Sequence, residues 1–311
     1  MTDILNPTSN TLPTGLSMEQ VESAITASGY PLQIDVGRTL SSRFSLDHEW
    51  SFQDRDSGEY RALDILASKK LYDLVGHPRL YPVANLMIEC KQTKLPLVFF
   101  CPESGLPAAD LPIIAGLPVS EVHVTTADTK STSKVRVRRI LTDSTHPFLR
   151  HGKFCYTFSK VKRTGSKIEL CGSDTYQSIV QPLVKSLIHL EKVRVPGKTW
   201  VYFTVDIAFA IVIIDGPMIF SRGESLSFEP WVRVYRHEHS AVKDGPAYGR
   251  KFALDFVHRD FLDSYVDDHL LPFCTSIRER ARKHHIEIAE GEAVVPTSAD
   301  IGEISKLEPT A

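Results

Sequence analysis

Apolar residues recur at helical spacing near the start of the chain, where Met18, Val21 and Ile25 follow Ser17 and predict an N-capped amphipathic helix ended by Gly29. The period then shortens to two. Leu32–Val36 and His48–Phe52 read as strands, and the polar run Asp54-Arg55-Asp56-Ser57-Gly58 predicts a hairpin turn into a further strand, Arg61–Ala67. Lys69–Pro82 reads as a connection before the strand Asn85–Gln92. Strands are also expected at Leu97–Phe100, Val119–Thr125 and Val135–Ile140, with a Pro/Gly-rich loop over Pro102–Pro118. Between Thr175 and Lys192, Ile179, Val180, Leu183, Val184, Leu187 and Ile188 share one helical face. Trp200–Ile214 and Met218–Phe220, joined through Asp215-Gly216-Pro217, read as two more strands, followed by Trp231–His237 and Phe252–His258. A closing helix is expected over Phe261–His284, its basic end (Arg278, Arg280, Arg282, Lys283) suiting the C-terminal dipole. Residues 1–16 and 286–311 lack periodicity and read as a flexible leader and a disordered acidic tail. The pattern predicts one α/β domain over 17–285, with a mixed central sheet flanked by helices and extra strands from the C-terminal half.

Two of these strands carry acids among apolar residues. In Arg61–Ala67, Leu63 and Ile65 oppose Asp64; in Asn85–Gln92, Glu89 and Lys91 point to one side while Ile88 and Cys90 point to the other. Ionised groups are rarely buried unless paired or bound to a metal. Two core-type strands with an acid each therefore suggest carboxylates gathered around a divalent cation, with a lysine beside them. Among the 38 acidic residues only Glu89 and Asp128 have Lys two positions later. Asp128-Thr129-Lys130 sits in a Thr/Ser/Lys-rich turn without the apolar approach, which marks it as a decoy.

Composition narrows the setting. Of the residues 42% are hydrophobic and 24% charged, as in a soluble globular protein. Five cysteines, none in a CxxC pair, read as reduced core thiols, and the start lacks a basic-then-apolar signal, so a cytoplasmic setting is expected. The longest apolar region, Val201–Ile214, is interrupted by Thr204 and Asp206 and is too short to span a bilayer, so no membrane partner is expected. The net charge of −2 hides an asymmetry. Between Lys130 and Leu170 stand eleven Lys or Arg against only Asp143 and Glu169. This basic band, with Arg136, Arg138, Arg139, Lys160, Lys162 and Arg163 interleaved with Phe148, Phe154, Tyr156 and Phe158, suits a phosphate backbone. The bland alternative is a solvated ribbon of outward cations.

Glu19 and Glu22 on the first helix, Gly29-Tyr30, Arg61-x-x-Asp64-Ile65-x-Ala67 and Ile88-Glu89-Cys90-Lys91-Gln92 follow an order that resembles the PD-(D/E)xK nuclease superfamily. This is the restriction-endonuclease-like fold, shared by Mrr-like enzymes and Holliday-junction resolvases. The resemblance covers residues 17–100, and Leu63 stands where the superfamily's name puts Pro. It implies that Asp64 and Glu89 hold one or two Mg²⁺ (or Mn²⁺) ions, with the Cys90 backbone carbonyl as a further oxygen ligand. It also implies that Lys91 orients the attacking water or stabilises the transition state. Glu22 is the expected helix carboxylate, since Met18, Glu22 and Ile25 share a stripe; Glu19 is the other candidate. Gln92, on the other face by alternation, has a weaker expected role. The implied reaction is phosphodiester hydrolysis of DNA, the same chemistry applying to RNA, in bacterial defence or DNA maintenance.

The competing reading is a non-catalytic nucleic-acid-binding or sensor domain on the same fold. A third is a structural or interaction protein whose extra C-terminal strands form a homo-oligomer interface; the nuclease reading itself is compatible with an activating partner protein. Other constellations carry less: His237-Glu238-His239 lacks a third ligand, and His258-Arg259-Asp260 lacks the companions of a kinase catalytic loop.

Overall fold

The computed structural model describes residues 6–54, 57–72, 80–102, 109–171, 176–196, 203–240 and 248–297. Parts of the predicted leader (1–5), of the hairpin turn (55 and 56) and of the predicted tail (298–311) lie outside the described residues.

The chain is an α/β protein built on a long mixed sheet. Ser17 caps α1 (Met18–Ala27) in a capping box with Gln20. The predicted strand Leu32–Val36 is instead helix α2 (Tyr30–Leu40), because Leu32, Gln33, Val36, Gly37 and Leu40 line one helical face while Ile34 is exposed. Next come β1 (Ser45–Gln53), β2 (Tyr60–Lys70), β3 (Leu80–Gln92) and β4 (Leu97–Phe100). The expected loop contains a short strand, β5 (Ile113–Ala115), and β6 (Glu121–Thr126) follows. The predicted strand Val135–Ile140 is divided between β7 (Thr132–Arg136) and helix α3 (Val137–Leu141), whose Val137, Ile140 and Leu141 turn inward at helical spacing. A ribbon of β8 (Phe154–Cys155), β9 (Thr157–Thr164) and β10 (Lys167–Cys171) leads through a wide turn at Tyr176–Val180 into α4 (Gln181–Val193). The C-terminal half supplies β11 (Phe203–Asp215), β12 (Met218–Arg222), β13 (Ser225–Phe228), β14 (Trp231–Ser240) and β15 (Tyr248–His258). Helical turns from Arg259 to Leu270 enter α5 (Leu271–Lys283).

The predicted disorder from residue 286 is corrected for the described part. Helix α6 (His285–Glu290) and strand β16 (Glu292–Val295) follow α5, with Ile288 and Val295 in the core and β16 parallel to β6. Two buried apolar residues suffice to anchor a segment whose composition is otherwise polar.

The main sheet runs β1-β2-β3-β11-β15-β14-β8, with β5 also on β11. Strand β11 is its spine, parallel to β3 along the whole of both strands and to β15 over its second half. It reads as a continuous Val/Ile/Ala/Phe run because both its faces are covered. On one face, Ile207, Phe209, Ile211 and Ile213 pack with α2, α3, α5 and the small β16-β6-β7 sheet; on the other, Ala208, Ala210, Val212 and Ile214 pack with α4 and the β10-β9-β4-β12-β13 sheet. Among the described residues no helix is long and apolar enough to cross a membrane.

The Arg233–Asp255 ion pair is fully inside. Arg233 on β14 donates from Nε and Nη2 to Asp255 on β15 at 2.7 and 2.8 Å, and from Nη1 to the Phe148 carbonyl at 2.6 Å. Tyr265 donates to the same carboxylate at 2.8 Å, and the guanidinium lies over Phe148 and Trp231. Burial alone would raise the Asp255 pKa, but Arg233 and the hydrogen bonds hold it below the ordinary value. Because the pair is satisfied on every side, removing one member leaves a naked buried charge. Asp255→Ala is expected to lower urea-unfolding stability by about 3–5 kcal/mol, and Arg233→Met with Asp255→Leu by far less. Equal losses in the two proteins would show that lost packing, not an orphaned charge, sets the cost.

Candidate metal-dependent catalytic site

The site forms where two strands part. Strands β2 and β3 pair antiparallel from Lys70↔Val83 up to Ile65↔Ile88, and the ladder stops there. Beyond it, among the described residues, β3 continues on β11 alone, with Glu89 opposite Val212 and Lys91 opposite Ile214. The Cys90 N–H, freed from β2, donates to Asp64 Oδ2 at 2.6 Å. A strand residue's N–H and C=O point to the same side, so the Cys90 carbonyl also faces the gap.

The expected alternation around Asp64 does not hold, and the reason lies in the neighbouring strand. Leu63 packs on one face of the sheet and Ile65 on the other. In β1, the pairs His48↔Ile65 and Trp50↔Leu63 flank a position where Glu49 and Asp64 do not pair, and Glu49 has φ +51°. A left-handed, non-glycine residue inside a strand marks a local departure from the pleat. It turns both acids out of the ladder together. Gln33, buried on α2, fixes this arrangement: its amide nitrogen donates to the Asp64 carbonyl at 2.6 Å and to Glu49 Oε1 at 3.1 Å.

Glu89 is only 7% exposed, and Lys91 Nζ donates to its Oε1 at 2.6 Å. Burial pushes the Glu89 pKa up to about 7; Asp64 and Glu49 push the same way and Lys91 opposes them. Burial also raises the Asp64 pKa, with Glu49 adding to it and the Cys90 N–H and Lys91 working against it. These shifts place Asp64, Glu89, Lys91 and Glu49 in one electrostatic neighbourhood.

The remaining expectations divide. Glu22 is not among the groups acting on Asp64 or Glu89; α1 buries no residue, and its acids face solvent. Glu19, also expected as a candidate, answers to the Ser17 hydroxyl at the helix cap, which lowers its pKa. The helix beside the site is α2, and the extra carboxylate comes from β1 as Glu49. Gln92, oriented to donate to the Thr26 and Ser28 carbonyls at 3.2 and 3.1 Å, ties β3 to the end of α1. Asp128 and Lys130 lie in the β6–β7 turn, as a decoy should.

The basic band also splits. Lys160, Lys162 and Arg163 on β9 share with Lys91 the lining of a 490 Å³ cavity. Arg136, Arg138 and Arg139 belong to β7 and α3, which pack on the opposite face of the main sheet. Arg138 is engaged there, donating to Asp110 at 2.6 Å and to the Ala109 carbonyl at 2.9 Å. Phe148, Phe154 and Phe158 are core residues, so of the interleaved aromatics only Tyr156 is exposed.

Two residues of the site, Gln33 and Glu49, carry little signal in the sequence. Gln33 is a buried amide on a segment whose alternation suggested a strand. Glu49 is conspicuous only through its backbone angle. Compared with known proteins, the chain matches no family model, no curated protein and no solved structure.

The donor chemistry suits a hard cation. Among the described residues no three His, Cys, Asp or Glu side chains gather as a ready metal cluster. Two carboxylates and a strand carbonyl are what Mg²⁺ takes when it keeps several waters, and they are a poor set for zinc. A buried acid crowded by two others is also a place where added positive charge is favourable.

Metal-free stability should follow the Glu89 proton. The folded pKa of about 7 lies above the unfolded value of 4.5, so the stabilisation is full below pH 4.5 and is lost as pH rises to about 7. In EDTA, Glu89→Gln is therefore expected to be more stable than wild type at pH 8, by on the order of 3 kcal/mol, with the gain vanishing near pH 4.5. Urea titrations at both pH values measure this, and a pH-independent difference would contradict it.

Proposed function

We propose that this protein is a metal-dependent nuclease that hydrolyses phosphodiester bonds, DNA being its principal substrate. The reading takes the fold as restriction-endonuclease-like and the site as a PD-(D/E)xK centre. The observation that carries it is the parting of β2 and β3, which sets Asp64 against the Cys90 N–H beside the Glu89–Lys91 pair. Asp64, Glu89 and the Cys90 carbonyl would hold Mg²⁺ or Mn²⁺. Such an ion, when bound, supplies Lewis-acid polarisation of the scissile phosphate and a more acidic water. Glu89 must be ionised to serve, so proton release and metal capture are linked. Lys91 is partly exposed and free to turn from Glu89 toward a phosphate oxygen, where a positioned cation stabilises developing charge. Glu49 keeps the neighbourhood negative without standing in the ladder, and Gln33 holds it and the Asp64 backbone in place.

Cleavage of supercoiled and linear DNA with Mg²⁺ or Mn²⁺ tests the reading. Wild type is expected to cut. Glu89→Ala should lose cutting and metal binding together, whereas Lys91→Ala should lose about 10²–10³-fold in rate with metal binding kept. Normal cutting by Glu89→Ala would sink the site assignment.

The two halves of the basic band should behave differently in DNA binding. Neutralising Lys160, Lys162 and Arg163 together is expected to reduce the log–log salt slope by about 2–3, since each phosphate contact contributes about 0.9. Neutralising Arg136 and Arg139 should leave the slope unchanged. The reverse pattern would move the binding face to the other side of the sheet.

A further inference from the structure

The cavity beside Lys91 is built in a way that contacts with a duplex backbone do not require. Its lining mixes aliphatic Leu95, Leu97, Val161 and Ile179 with polar groups such as Thr93 and Ser178, and the lining cations Lys160, Lys162 and Arg163 are exposed. Its 490 Å³ falls within the range of about 300–1,000 Å³ typical of small-molecule sites. A phosphate set on those aliphatic residues would lose its hydration without an apolar gain. A nucleobase has the opposite character, with apolar faces and polar edges, and the exposed cations suit the backbone on either side of it. In a duplex the base is held in the stack and must be flipped out at a cost, which an unpaired strand does not incur.

We infer that this cavity is a subsite for one unstacked base next to the scissile phosphate, so that DNA with unpaired nucleotides at the cut is preferred over continuous duplex. The inference rests on the nuclease reading above and adds the class of substrate to it. Strand β9 pairs antiparallel with β4 through Leu97↔Lys160, which fixes β9 and its cations against Leu97. Lys91 lines the same cavity two residues from Glu89, so a base seated there brings its own phosphate to the catalytic end of β3.

The test is a fluorescence titration of the full-length protein in EDTA. The probes are a single-stranded oligonucleotide carrying a fluorescent purine analogue and the same strand annealed to its complement. The single strand is expected to bind about tenfold more tightly, in the range one stacked base contributes. Val161→Trp fills the cavity and should abolish that preference, with duplex affinity changing by less than about threefold. Leu95→Trp, in the β3–β4 connection, should do the same and serves where the strand variant does not fold. Equal affinity for the two probes, or an intact preference in a folded variant, overturns the inference and leaves the nuclease reading standing. Wild type that neither binds nor cuts either form removes that reading and the subsite with it.

Discussion

Two antiparallel strands share a ladder only while their N–H and C=O groups face each other, and β2 and β3 stop doing so after Ile65↔Ile88. Everything in the candidate site depends on how the groups left over are satisfied. A buried N–H without a partner costs about 1–3 kcal/mol. The Cys90 N–H meets the Asp64 carboxylate at 2.6 Å, and the Asp64 carbonyl meets Gln33 at 2.6 Å. The parting thus leaves neither the Cys90 N–H nor the Asp64 carbonyl without a partner. Strand β11 makes this affordable by pairing with β3 to its last residue, so the second edge of Glu89–Gln92 stays fixed.

The same geometry sets acids against the protein's own stability. Glu89 is buried among like charges, with Lys91 as its one strong counterweight, and its folded pKa lies near neutrality. Contrast Asp255, fully buried yet held low by a bidentate arginine and a tyrosine. Both acids are desolvated; they differ in whether the surroundings complete them. A completed acid such as Asp255 is architecture, while one left short of positive charge, as Glu89 is, suits chemistry.

Much of this was legible in the chain. The strands β2, β3 and β11 follow from apolar runs, and the acid-x-Lys spacing picks out Glu89 and Lys91 directly. What failed did so for identifiable reasons. Residues 32–36 alternate by chance, and only the full set Leu32, Gln33, Val36, Gly37 and Leu40 reveals the helix. Glu22 lies on a helix whose apolar stripe faces no core. Glu49 acts through a φ of +51° that no residue type announces, because glutamate has no preference for it. Contiguity in sequence also misled. The cations of 136–139 and 160–163 read as one band, yet the chain crosses from one face of the sheet to the other between them.

That crossing is what brings a second sheet to the edge where Glu89 and Lys91 stand. Asp215, at the end of β11, accepts from the Thr93 N–H at 2.9 Å, and Gly216 passes so close to Thr93 that a Cβ there would lie 2.2 Å from its carbonyl oxygen. Only glycine fits, and any side chain would push β12 away from β3. Since β12 carries β4, and β4 carries β9, a displacement at Gly216 would move the lysines of β9 relative to Lys91. The placement of cations beside the acids therefore depends on one backbone contact at the end of the central strand. Neither the acid-x-Lys motif nor the basic band contains that residue, although their relative placement rests on it.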